Sequence, residues 1–199
     1  HMKTDHHTML YVISWKPNMI KILHNSQSDN YIKLKEKFTG NYFPWYFNNN
    51  VAREEFNTED NVFYFGHTLY TRPEVSGYSQ PASENFQLAF STMQEILTEN
   101  NYDSSKYFLL RMNANCTLPS DTAEFSSPHI DHNIPHLNFL LYLTGNGGST
   151  FVEGEEHKPE EDQAILFSGN HYIQLPKKGR RIVLIATIMF TVDKKPYIC

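Results

Sequence analysis

Ten histidines occur in 199 residues, and one dense cluster stands out: Pro128-His129-Ile130-Asp131-His132-Asn133-Ile134-Pro135-His136. In an extended chain residues i and i+2 project to the same face. His129 and Asp131 would then present an imidazole and a carboxylate to one point, which is two of the three ligands of the facial triad that holds non-heme Fe(II). The third ligand must come from a distant strand. His171 qualifies, because it follows the apolar run Ala164-Ile165-Leu166-Phe167 and precedes a basic, then apolar, segment. A different set, His129, Asp131 and His132, would superficially suit a zinc hydrolase. If not ligands, His132 and His136 stand beside the ligands or on the surface.

The residues after the cluster sharpen the pattern. His129-Ile130-Asp131 is succeeded in order by Leu140-Leu141-Tyr142-Leu143, Gly147-Gly148-Ser149-Thr150-Phe151, Ile165-Leu166-Phe167, His171 and Gly179-Arg180-Arg181. The segment from Pro128 to Thr187 thereby resembles the iron- and 2-oxoglutarate-dependent oxygenases, in particular the prolyl-hydroxylase-like branch with its phage and viral members. Leu109 to Asn115 is similar to the family's strand before the first histidine, while the chain before about Lys106 matches only loosely.

The resemblance implies a mainly β fold with supporting helices, a double-stranded β-helix or jelly roll of the cupin-like kind. It implies Fe(II) held by His129, Asp131 and His171, with 2-oxoglutarate and dioxygen as co-substrates and ascorbate as a reductant. Arg181, aligned with the family's Gly-x-Arg, would meet the distal carboxylate of 2-oxoglutarate, because a planar fork suits a carboxylate. Arg180 competes for that role, since both alternating sets in the next strand are apolar. Tyr142 matches the family's tyrosine that hydrogen-bonds the same carboxylate. Arg111 and Asn115 would reach the cofactor or the substrate, unless Arg111 is only a structural ion pair with Asp131. A carboxylate at Asp131 favours hydroxylation over halogenation, for which the family has a small residue there. The substrate expected is a peptide or a small molecule. A cofactor-less jelly-roll binding module, with a coincidental triad, is the reading that iron-dependent succinate formation would exclude.

These residues need a scaffold. Apolar periodicity predicts helices over Ser28–Phe38 and Ser83–Thr98, with a left-handed cap at Gly40 and an N-cap at Ser83. On the first helix Tyr31, Ile32, Leu34 and Phe38 share a face. Strands are expected at Met9–Trp15, Asn61–Tyr70, Tyr107–Leu110, Leu137–Leu143, Gln163–Phe167 and Arg181–Thr191. Gly148 and Thr150 read as structural, the glycine through positive φ in a tight turn. The aromatic run Tyr42 to Phe47 is either a pocket wall or a hydrophobic lid, and Thr117 to Ser127 is a second candidate wall.

Composition bounds the rest. A single domain over 1–199 is expected, with 1–105 as support and 106–199 as the catalytic core. Seventeen basic against 22 acidic residues, net −5, argue against nucleic acid as a partner. No apolar run suits a membrane span or a signal peptide, so a cytoplasmic protein is expected. His1-Met2 reads as a cloning remnant and is left out of site arguments. Cys116 and Cys199 read as reduced thiols.

Overall fold

A computed structural model describes residues 20–49 and 62–190; the strand expected at Met9–Trp15, Thr191 and Cys199 lie outside them. The element order is β1 (Lys21–Leu23), α1 (Asp29–Thr39), β2 (Tyr46–Asn48), β3 (Tyr64–Tyr70), α2 (Pro73–Ser76), α3 (Phe86–Glu99) and a 3-10 turn (Ser104–Lys106), then β4 (Tyr107–Thr117), β5 (Leu137–Tyr142), β6 (Thr150–Val152), β7 (Glu155–His157), β8 (Ala164–Phe167), β9 (His171–Ile173) and β10 (Arg181–Phe190). Among the described residues ten strands form two antiparallel sheets. The larger runs β1-β8-β5-β10-β4-β3-β2 and the smaller β7-β6-β9, a jelly roll as expected.

Strand β10 divides the interior. Its alternate residues Ile182, Leu184, Ala186 and Ile188 join the core shared with α1 and α3 on the outer face of the large sheet, while Val183 and Ile185 join Leu140, Tyr142, Ile165 and Phe167 between the sheets. With both faces covered, the strand from Ile182 to Ala186 is apolar throughout. Pairing with β4 sets Arg181 opposite Thr117, Val183 opposite Asn115, Ile185 opposite Asn113 and Thr187 opposite Arg111. The polar side chains of β4 thus share the inner face with Arg181.

Helix α1 is capped by Ser28, whose Oγ accepts from the Tyr31 amide, and it buries Tyr31, Leu34 and Phe38. Ile32 is instead 45% exposed. The expected left-handed cap is absent: Gly40 is extended at φ −67°, and a Cβ there would stand 2.9 Å from the Glu36 carbonyl. Helix α3 starts at Phe86 rather than Ser83. The Ser83 hydroxyl is drawn away to accept from the Asn85 amide and to pair with His67 Nε2 at 2.8 Å. Within the aromatic run, Phe43 packs against Phe38, Trp45 and His67, on the outer core. Cys116 is a buried free thiol. No helix among the described residues is long and apolar enough to cross a membrane.

Candidate functional site

His129 lies on the connection between β4 and β5, and His171 opens β9. Each donates its backbone N–H to the other's carbonyl, at 3.0 and 2.9 Å, so the two form a hydrogen-bonded antiparallel pair whose side chains share one face. Their rings are 4.5 Å apart. Asp131, two residues on, turns to the same point, and the ligating atoms of His129, Asp131 and His171 all lie within 4.8 Å of one another.

The donor set fits a divalent metal on its own chemistry. His129 Nδ1 donates to the Ser127 carbonyl and His171 Nδ1 to the Gly169 carbonyl, both at 3.1 Å. Both rings then offer an unprotonated Nε2 inward, the arrangement by which outer hydrogen bonds fix a ligating tautomer. Asp131 Oδ1 accepts from Arg111 Nη1 at 2.8 Å, whereas buried Oδ2 has no hydrogen-bond partner. Burial pushes the Asp131 carboxyl up, but Arg111 above all, then the surrounding imidazoles, hold it well below the usual carboxylate range. Burial drives His171 down to about 4 despite the opposing pull of Asp131. At neutral pH Asp131 is therefore a carboxylate and His171 a neutral imidazole.

A cavity of about 70 Å³ adjoins the triad and is lined also by Tyr64, Arg111, Asn113, Asn115, Thr150 and Arg181. Arg181 is 2% exposed. Its Nη2 donates to Thr150 Oγ1 at 3.0 Å, Thr150 Oγ1 is 2.7 Å from Tyr142 Oη, and the guanidinium sits 5.5 Å from the Tyr142 ring centroid. Arg181 Nε has no partner, and among the described residues no carboxylate lies within ion-pair distance of this guanidinium. Burial lowers its pKa, with Tyr142 opposing, yet an arginine stays charged. A buried cation without a counter-ion is costly, a cost that an anion in the cavity would offset. Arg180, the other candidate, is exposed and donates to the Thr39 carbonyl at 3.0 Å.

Two glycines make this packing possible by absence of bulk. A Cβ at Gly147 would stand 2.7 Å from Arg181 Cγ, and one at Gly148 would stand 2.1 Å from the Gln174 carbonyl oxygen. Neither has positive φ, so close approach, not turn freedom, is what requires Gly148.

The structure brings Arg111, Asn115 and Tyr142 to the interior between the sheets, Arg111 in an ion pair and Asn115 with its carbonyl unpartnered. Neither His132 nor His136 is a surface residue. Buried His132 donates from Nδ1 to Glu74 Oε1 and accepts at Nε2 from the Thr187 hydroxyl, both at 2.7 Å. With both nitrogens engaged, it supplies no third ligand to a zinc site with His129 and Asp131. Thr117 and Ser126 line the cavity, but Tyr42 to Phe47 line neither it nor the larger groove beside it. Asn113 is missed by the sequence reading although strand parity with Arg111 and Asn115 points to it, while Tyr64 carries no signal, because only the pairing of β3 with β4 brings it near. Thr150 is more than structural, since its hydroxyl is the bridge between Arg181 and Tyr142. Its place in Gly-Gly-Ser-Thr, opening a short strand, is the signal that points to it.

By sequence, no family model and no curated protein matches the chain. Solved structures do. A 2OG-Fe(II) oxygenase family oxidoreductase from Burkholderia pseudomallei superposes with TM-score 0.59 at 14% identity, over 79% of this chain and 76% of that one. A prolyl hydroxylase from Trichoplax adhaerens, solved with a hypoxia inducible factor peptide fragment, gives 0.55 at 15% identity, over 86% and 83%. The fold is that of the 2OG-Fe(II) oxygenases. The same oxygenase fold is shared by the non-heme alpha ketoglutarate dependent epimerase of nogalamycin biosynthesis, at TM-score 0.54 and 10% identity over 86% and 76%. An oxygenase fold thus carries more than one outcome, and the reaction has to be argued from the site.

Proposed function

We propose that the protein is an Fe(II)- and 2-oxoglutarate-dependent dioxygenase that hydroxylates a peptide or small-molecule substrate, converting 2-oxoglutarate and dioxygen to succinate and carbon dioxide. One observation carries this reading: a His-Asp-His set with free inward ligand atoms shares one cavity with Arg181, a buried cation that no carboxylate meets among the described residues. A metal-binding module needs the first feature only, whereas a 2-oxo acid with a second carboxylate accounts for both.

His129, Asp131 and His171 would hold the iron, and bound Fe(II) with 2-oxoglutarate supplies the oxidising chemistry. The chain's own residues do the rest. Arg181 binds the distal carboxylate, with Thr150 and Tyr142 steering its donors. Arg111 occupies one oxygen of Asp131 and keeps the carboxylate ionised, so the other oxygen is left for the metal. Ile165, Phe167, Val183 and Ile185 close the interior to bulk water. With Asp131 filling a ligand position, hydroxylation is the outcome favoured over halogenation.

The test is succinate formation by purified protein supplied with 2-oxoglutarate in air, with ascorbate to keep iron reduced. Turnover is expected with Fe(II), and none with Zn(II) or with chelator. Succinate formation that is indifferent to the metal, or zinc-dependent hydrolysis in its place, would overturn the proposal.

A further inference from the structure

The charges of this molecule are partitioned around His129. On the inner side, the small cavity holds Arg111 and Arg181. On the outer side, His129 also lines a groove of about 860 Å³ between the 128–137 segment, residues 168–170 and the end of β10. Among the described residues lining that groove there is no Asp, Glu, Lys or Arg. Its apolar wall includes Ile130, Ile134, Leu137, Ile188, Met189 and Phe190, of which Ile130 and Ile134 are 44% and 47% exposed. In a chain that is 20% charged, a concave surface without a charged side chain is informative about its occupant.

From this partition we infer that the groove binds the substrate of the proposed oxygenase reaction, and that this substrate is a neutral, largely apolar small molecule. The inference rests on that reading for the word substrate. An anionic occupant would find no cation in the groove, and a cationic one no carboxylate, so each would lose its hydration without compensation. The volume lies within the range of small-molecule pockets. The groove's uncharged polar side chains, Asn133, Ser168 and Asn170 among them, can meet a hydroxyl or a carbonyl of such a molecule. An extended peptide would instead bring an amide and a carbonyl with every residue and lay part of them against the apolar wall unpaired.

The experiment is calorimetric titration of the full chain, without turnover, with three probes of one shape: naphthol, naphthoate and naphthylmethylammonium, beside a blocked Ala-Pro-Ala-Ala peptide. Naphthol is expected to bind at least roughly tenfold more tightly than either charged probe. Ile134→Lys, a change at an exposed position that leaves the core untouched, is expected to weaken naphthol at least roughly tenfold. Ile134→Met should keep it. Equal binding of the three probes, indifference to Ile134→Lys, or tight binding of the peptide with none of naphthol would overturn the inference. Succinate formation is measured separately on the same preparations. Its absence counts against the proposed reaction, while the probe ranking alone decides the chemistry of the groove.

Discussion

Arg111 Nη1 stands 2.8 Å from Asp131 Oδ1, and the other carboxylate oxygen of Asp131 has no hydrogen-bond partner. One oxygen is neutralised and the other is kept available, which is how a buried carboxylate is held ionised and still able to bind a cation. Arg111→Met removes the close partner and leaves a buried charge with Arg72 at 3.8 Å. The expected loss is roughly 3–5 kcal/mol of metal-free stability, read by denaturant unfolding. Added Fe(II) should restore part of it. Unchanged stability in Arg111→Met would show the pair to be incidental.

Arg181→Ala should keep Fe(II) binding, since no ligand is touched, and raise the 2-oxoglutarate requirement by roughly a hundredfold or more. Arg180→Ala, at an exposed position, should change neither. The comparison is made on the 2-oxoglutarate dependence of succinate formation. The reverse result would exchange the inward and outward residues of β10.

Thr150→Val removes one hydroxyl that contacts both Arg181 and Tyr142. About tenfold weaker 2-oxoglutarate binding is expected, the range of one hydrogen bond to a charged group. In a double-mutant cycle with Tyr142→Phe the two losses should be less than additive. Strict additivity would mean that the three side chains do not act together.

Gly147→Ala and Gly148→Val should separate binding from folding. The first pushes on the flexible stalk of Arg181 and should raise the 2-oxoglutarate requirement in a folded protein. The second meets a backbone carbonyl at 2.1 Å and should lower the melting temperature sharply. A stable Gly148→Val protein that had lost only its metal would contradict this assignment.

Burial holds His171 at about 4, against about 6.5 in the unfolded chain. Between those values the unfolded state binds the proton that the folded state refuses. The contribution is fully present above about pH 6.5 and is lost as pH falls toward 4, on the order of 3 kcal/mol in all. Asp131 adds loss only below the unfolded carboxylate value of about 3.9. Metal-free unfolding measured across this window should show the slope, and His171→Gln should flatten it.

His129 and Asp131 are legible in the sequence because they sit two residues apart, a spacing that needs no tertiary knowledge, whereas His171 is reached only through its place after an apolar run and the motif order of the resemblance. Arg181 is reached through its place after His171, but its inward direction is not, because β10 is apolar on both faces and only pairing with β4 and β5 assigns them. Tyr64 is illegible for the same reason, whereas Asn113 is reachable from its strand parity with Arg111 and Asn115. The start of α3 and the left-handed cap at Gly40 fail locally, whereas α1 lies within one residue of its expected span: Ser83 is claimed by His67, a partner 16 residues away. The aromatic run from Tyr42 suits a pocket wall by composition, yet Phe43 completes the outer core against α1.

The triad and Arg181 are proposed to hold opposite ends of one 2-oxo acid. Anaerobic titration of 2-oxoglutarate into metal-free and Fe(II)-loaded protein tests this most directly. The predicted result is one 2-oxoglutarate per chain, bound at least roughly tenfold more tightly when Fe(II) is present, with that gain abolished by His171→Ala. Equal affinity with and without Fe(II), in a protein that demonstrably binds the metal, would contradict it.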